Sequence, residues 1–105
     1  MSDKNALEGL LRMRELLATP DRWTQGVLAK DANGAPVSCD SDRASCWCFV
    51  GASFGAKIAP LEVAYLAEAM SPYAHWATWN DAPERTHADV LDLIDRAIEI
   101  ARAET

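Results

Sequence analysis

No apolar stretch in this chain of 105 residues approaches the roughly 20 needed to span a bilayer as a helix. The opening Met1-Ser2-Asp3-Lys4-Asn5 lacks the apolar heart of a secretory signal, so the expected location is the cytoplasm. Basic residues are few: ten Lys and Arg stand against sixteen Asp and Glu, for a net charge of -6. They are scattered, with no run or stripe that neutralises several neighbouring phosphates, which argues against nucleic acid as a direct partner. Cysteine is also sparse. Three residues, Cys39, Cys46 and Cys48, are an odd number, and in a reducing compartment free thiols are expected rather than a disulfide framework. The phosphate loop and the His-Glu-x-x-His helix are both missing, so the common nucleotide and zinc-protease signatures fail. Internal repeats, low-complexity tracts and linkers are missing too.

What is present describes an ordinary globular protein: half the residues are apolar and a quarter charged. The length suits one domain, residues 1–105, which buries roughly 65% of its unfolded surface and needs no staple of disulfide or metal. The first amphipathic pattern runs from about Asn5 to Ala18, with Leu7, Leu10, Leu11, Met13 and Leu17 on one broad face, and ends at Thr19-Pro20. Residues 25–37 hold Asp31-Ala32-Asn33-Gly34 between short apolar runs, which predicts a two-strand hairpin with Pro36 on an edge. Asp40-Ser41 caps a second helix expected over 42–56, apolar on all sides and therefore central and buried. On it Cys48, Gly51, Ala52 and Gly55 form a small-residue side against which another backbone packs closely. A third helix starts at Pro60 and stops at Ser71-Pro72. An aromatic stretch leads through Asn80-Asp81 to the final helix, opened by a capping box of Thr86 and Asp89. The fold class predicted is mostly α: about four helices around a central apolar helix, with one small β-hairpin.

Cys46-Trp47-Cys48, with Cys39, His75 and His87, raises a metal reading, because thiolate and imidazole are the usual zinc ligands. On a helix, positions two apart point to opposite sides and share no metal; on a strand they share a face and the reading revives. Buried structural thiols are the expectation, with no metal and no cofactor. Two polar residues stand out more sharply. Arg14 falls within the apolar face of the first helix, and His87 falls on the inward side of the first turn of the last. A buried guanidinium demands a partner, and Asp81 or another buried acceptor, such as a loop carbonyl, is expected to supply it. Trp23, Trp76 and Trp79 lie in or near loops, where tryptophan serves either the core or a pocket wall. Arg14, Trp23, Trp79, Asn80, Asp81 and His87 therefore form the candidate binding group for a small polar or anionic ligand. No catalytic residue is identified.

Trp23-Thr24-Gln25-Gly26, Asp31-Ala32-Asn33-Gly34 with Pro36-Val37, Cys46-Trp47-Cys48 with Gly51-Ala52, and Trp79-Asn80-Asp81 with Val90-Leu91 span most of the chain. In combination they resemble an uncharacterised family of small bacterial and phage-encoded proteins with no assigned activity. The resemblance implies a complete stand-alone protein and transfers no functional residue. The reading of function is a non-enzymatic binding or interaction module, with a ligand-binding protein or unfamiliar enzyme built on the Arg14, Asn80, Asp81 and His87 group as the alternative. A homodimer is expected through the C-terminal helix, whose apolar arc, Val90 to Ala101, is wider than the ≳100° stripe a surface helix typically needs.

Overall fold

The structure is a computed structural model that describes residues 2–70 and 75–104. It is mostly helical with one small antiparallel sheet, as the sequence predicts. In chain order it places helix α1 (Ser2–Leu16), a single 3-10 turn (Pro20–Arg22), strand β1 (Ala29–Lys30), strand β2 (Cys46–Trp47), and helices α2 (Phe49–Gly55), α3 (Pro60–Ala69), α4 (Trp76–Asp81) and α5 (His87–Ala103). The stop expected at Ser71-Pro72 lies outside the described residues.

Three helices supply most of the core. α5 lies chiefly against α1 and α3, because its Val90, Leu93, Ile94, Ala97, Ile98 and Ala101 recur at helical spacing and are all buried. From α1 come Leu10 and Met13, joined by Leu17 just after the helix, all fully buried, while Leu11, expected on the same face, is 41% exposed. The α1 stripe is thus narrower than the sequence pattern suggests, which places Arg14 at its edge rather than inside it. The Thr86 and Asp89 capping box forms as expected: the Thr86 hydroxyl accepts from the Asp89 N–H (3.1 Å) and the Asp89 carboxylate accepts from the Thr86 N–H (3.0 Å).

α3 is tied to α1 by a buried carboxylate that sequence periodicity gave no reason to single out. Glu62 is 1% exposed. One of its oxygens accepts from the Leu10 N–H (3.1 Å), and the other reaches back to the Ala59 N–H at the start of its own helix (2.5 Å). The approach needs Gly9, since a Cβ there would stand 2.1 Å from the Glu62 Oε1.

Two expectations change. The helix predicted over 42–56 begins only at Phe49, a seven-residue element that adds Phe49 and Ala52 to the core rather than forming its centre. Asp40-Ser41 instead opens a turn, with the Ser41 hydroxyl accepting from the Arg43 N–H (3.0 Å). Cys46-Trp47 runs as a strand, and Cys48 caps α2, its sulfur accepting from the Gly51 N–H (3.2 Å). An apolar run without polar punctuation does not distinguish helix from buried strand, and the aromatic and thiol side chains here favour the strand.

The second change follows from the first. The tight turn at Asp31–Gly34 is present, with the Asp31 carboxylate accepting from the N–H groups of Asn33 and Ala35 (both 2.9 Å) and Gly34 at φ 85°. The expected partner strand after it shrinks to a single bridge, Lys30 to Pro36. Pro36 has no N–H to extend a ladder, although the Val37 N–H still donates to the Ala29 carbonyl (3.1 Å); on its other edge β1 pairs with β2, Ala29 opposite Trp47 and Lys30 opposite Cys46. The small-residue side of α2 does serve a close backbone approach: a Cβ on Gly51 would stand 1.9 Å from the Leu28 carbonyl oxygen. The aromatic stretch, read from sequence as a lead-in, is itself partly helical as α4.

Candidate functional site

Asn80 ends up fully buried, on the short helix α4, and every polar group of its side chain is engaged. Its Oδ1 accepts from the indole N–H of Trp23 (2.7 Å) and from the Phe49 N–H that opens α2 (2.9 Å). Its Nδ2 donates to the Thr24 carbonyl (3.2 Å) and to the Asp81 carboxylate (2.9 Å). Around it the segment 23–26 is joined to 80–82 residue by residue. The Gln25 side chain donates to the carbonyls of Asn80 (2.7 Å) and Ala82 (3.1 Å), and the Gly26 N–H donates to Asp81 Oδ1 (3.0 Å). The Thr24 N–H donates to the Trp47 carbonyl (3.0 Å). Three of the four segments that carry the family resemblance, Trp-Thr-Gln-Gly, Cys-Trp-Cys and Trp-Asn-Asp, therefore meet in one knot.

Of the six candidate binding residues, the structure brings Trp23, Asn80 and Asp81 together and gives the other three different partners. Trp79 packs edge-on against Phe49, with ring centroids 5.5 Å apart. The guanidinium of Arg85 covers its ring at 4.2 Å while Arg85 Nε donates to its carbonyl (2.7 Å). It also borders a groove of about 430 Å³ along α5, lined by Arg85 and Arg96 and by the carboxylates of Asp89, Asp92, Asp95 and Glu99. His87 Nε2 meets the Leu17 carbonyl at 2.6 Å, fastening the start of α5 to the end of α1.

Arg14 corrects its expectation. Its partner is Asp95 on α5 rather than Asp81, through two contacts of 2.5 and 3.2 Å, and the pair is 40% and 46% exposed. The hydrogen bond to Asp95 raises the Arg14 pKa further above its ordinary value. No buried charge is involved, because Arg14 sits at the stripe's edge where α5 presents Asp95. The pairing of Asp95 with Arg14 depends on how α1 and α5 cross, which no local pattern encodes.

The thiols fall in the strand-like arrangement. Cys48 is buried and Cys39 and Cys46 are half-buried, all unpaired. Burial pushes the Cys48 thiol pKa up, against the smaller opposite effect of the Gly51 N–H. Among the described residues no group of three or more His, Cys, Asp or Glu side chains could hold a metal ion. Among them, too, no buried side-chain polar atom lacks a partner.

A different surface is left without internal partners, and the sequence reading did not single it out. Phe54 is 59% exposed on α2, and Val63 is 41% exposed on α3. They border an apolar cleft of about 310 Å³ whose other walls include Val50, Ile58 and Trp76. The signal was available: from Ala44 to Ala67 the only charged residues are Lys57 and the buried Glu62.

No helix among the described residues is long and apolar enough to cross a membrane. Comparison with curated proteins and with solved structures finds no match. The sequence does match one family over residues 1–100, and the chain accordingly belongs to DUF6197, a family of unknown function.

Proposed function

We propose that this chain is a small cytoplasmic, non-enzymatic interaction module that engages another protein through the α2–α3 face. The observation that carries the reading is the contrast between its polar and apolar side chains. The polar residues that sequence reasoning nominated for a pocket are taken up by the fold's own bonds, Asn80 above all. A large aromatic and an aliphatic side chain, Phe54 and Val63, stand out into solvent around a cleft. Exposed apolar side chains grouped around a concavity on an otherwise charged protein mark an interaction site.

Most of the arc from which a homodimer was expected packs under α1 and α3 within one chain, with Leu91 and Ile100 half-buried at its margins. The surface on offer for association is the α2–α3 face instead.

The test is position-resolved photo-crosslinking in cells of the native host. A crosslinking residue at Phe54 or at Val63 is expected to give a discrete protein adduct, and one at Asp92, on the exposed side of α5, none. Equal yields at all three positions, or none at Phe54 and Val63, would count against the reading.

A further inference from the structure

We propose that the partner segment docking in the α2–α3 cleft is acidic as well as apolar, and that it sets a carboxylate beside Lys57. This rests on the reading of that face as a protein-docking surface, and it adds what the face selects for.

The cleft has one charged lining residue. Its walls are the side chains of Val50, Phe54, Ile58, Val63 and Trp76, and the Ser53 hydroxyl is turned back to donate to the Val50 carbonyl (2.6 Å). Lys57 is exposed at the same cleft and makes no salt bridge among the described residues. Glu62, the one carboxylate between Ala44 and Ala67, is buried against Leu10 and Ala59 on the far side of α3 from solvent. Asp40 feels the lysine: its carboxyl is held below the usual range mainly by the Ser38 hydroxyl and in smaller part by Lys57. It does not come within ion-pair distance. An apolar cleft with a single unneutralised cation is complementary to an apolar group next to a carboxylate.

Lys57 also occupies a backbone position that folding alone would give to glycine. Its φ is 55°, the one positive value outside glycine among the described residues. It closes α2 as the left-handed residue of a Schellman-type cap, with its own N–H donating to the Phe54 carbonyl (3.0 Å) and the following Ile58 N–H to the Ser53 carbonyl (3.2 Å). A side chain there is strained, and glycine is not. A cation near a helix C-terminus gains from the exposed carbonyls, but Arg12 already supplies one, its Nε donating to the Ala56 carbonyl (3.1 Å). The lysine is thus better explained by what it faces than by the cap it forms.

Other occupants fit less well. A second copy of the chain would bring Lys57 towards Lys57 across a two-fold contact, with no carboxylate on this face to separate them. A membrane surface recruits proteins through several cations, whereas this face carries one and the chain as a whole is at -6. A small ligand in the cleft would leave most of the Phe54 ring wet, whereas a peptide segment covers it.

The experiment selects displayed random 12-residue peptides on the full chain, with counter-selection on Phe54→Asp, and measures the recovered peptides by fluorescence anisotropy. Phe54 and Lys57 are exposed, so the variants are expected to stay folded, and melting curves check this. The expected result is peptides with large apolar residues and an excess of Asp and Glu. Their affinity should fall at least tenfold on Lys57→Glu and recover when their acids are changed to lysine. Peptides that depend on Phe54 but show no acidic excess, or that ignore Lys57→Glu, overturn the acid selectivity and leave the docking face standing. Failure to recover any Phe54-dependent peptide overturns both. Sedimentation with phosphatidylserine vesicles, lost on Phe54→Asp, would assign the face to a membrane and overturn the proposal.

Discussion

Asn80 shows how a residue can look like a ligand-binding group and be structural. Its side chain is the acceptor for an indole and for the first N–H of α2, and the donor to a loop carbonyl and to Asp81. Leucine has nearly its shape and none of its bonds, so Asn80→Leu leaves those donors and acceptors buried without partners. At about 1–3 kcal/mol for each orphaned group, partly relieved by relaxation, a loss of about 3 kcal/mol is expected in urea melts. A loss under 1 kcal/mol would show that water reaches the knot. Glu62 and Gly9 are coupled in a similar way. Gly9→Ala alone should destabilise by about 1–3 kcal/mol, because the new Cβ meets the Glu62 carboxylate at 2.1 Å. With Glu62→Ala already in place the clash is gone, and the same change should then stabilise by up to about 1 kcal/mol through helix propensity. A double-mutant cycle reads the change of sign directly. The Cys48 thiol, its pKa raised chiefly by burial, stays protonated in the folded chain where the unfolded chain ionises. Its contribution is therefore intact below the ordinary thiol pKa and is lost as pH rises past it. In a thiol-labelling time course at neutral pH, Cys48 should be modified last of the three, at a rate that tracks unfolding; labelling as fast as Cys46 would contradict its burial.

At the level of elements, what was legible in the sequence is what a local period can encode. α5 was readable from the Thr86 and Asp89 box to its six buried apolar positions, because cap and stripe lie on one continuous segment, while Leu91 and Ile100, read on the same arc, are half-buried. α1 was readable as a helix, but the width of its stripe was not, since Leu11 and Arg14 are turned from the core by where α5 lies rather than by anything on α1. The 42–56 stretch was misread because its apolar residues carry no period, and the strand at Cys46–Trp47 exists only through pairing with Ala29–Lys30. Of the six residues read as one binding group, Trp23, Asn80 and Asp81 meet through the fold's own bonds, whereas Arg14 and His87 were grouped with them by polarity alone. The α2 terminus yields a prediction at this scale. Lys57→Gly relieves a left-handed side chain and should raise stability by up to about 1 kcal/mol in thermal or urea unfolding. A destabilised variant would mean that the lysine contributes more to the helix end than Arg12 leaves it to do.

For the molecule as a whole, the question is which surface is spare. Two apolar faces compete for that description: the long arc of α5 and the shorter α2–α3 face. Most of the arc is used internally, since Ile94 and Ala97 are fully buried and Ile98 is 5% exposed within the single chain, with Leu91 and Ile100 half-buried at its margins. Placing a carboxylate at Ile98 therefore puts an unpaired charge into the core, and Ile98→Glu should unfold the chain or cost several kcal/mol, whatever its oligomeric state. Phe54→Asp is the opposite case, because a ring that is 59% exposed gives up little burial when it is removed. Its melting temperature should stay close to that of the unaltered chain. Light scattering on both variants separates the two surfaces. If any assembly forms through the α2–α3 face, Phe54→Asp lowers the mass while the chain stays folded, and Ile98→Glu lowers it only by unfolding. A folded, stable Ile98→Glu protein with reduced mass would instead show that the C-terminal helix is an intermolecular contact and that its burial within one chain is incomplete.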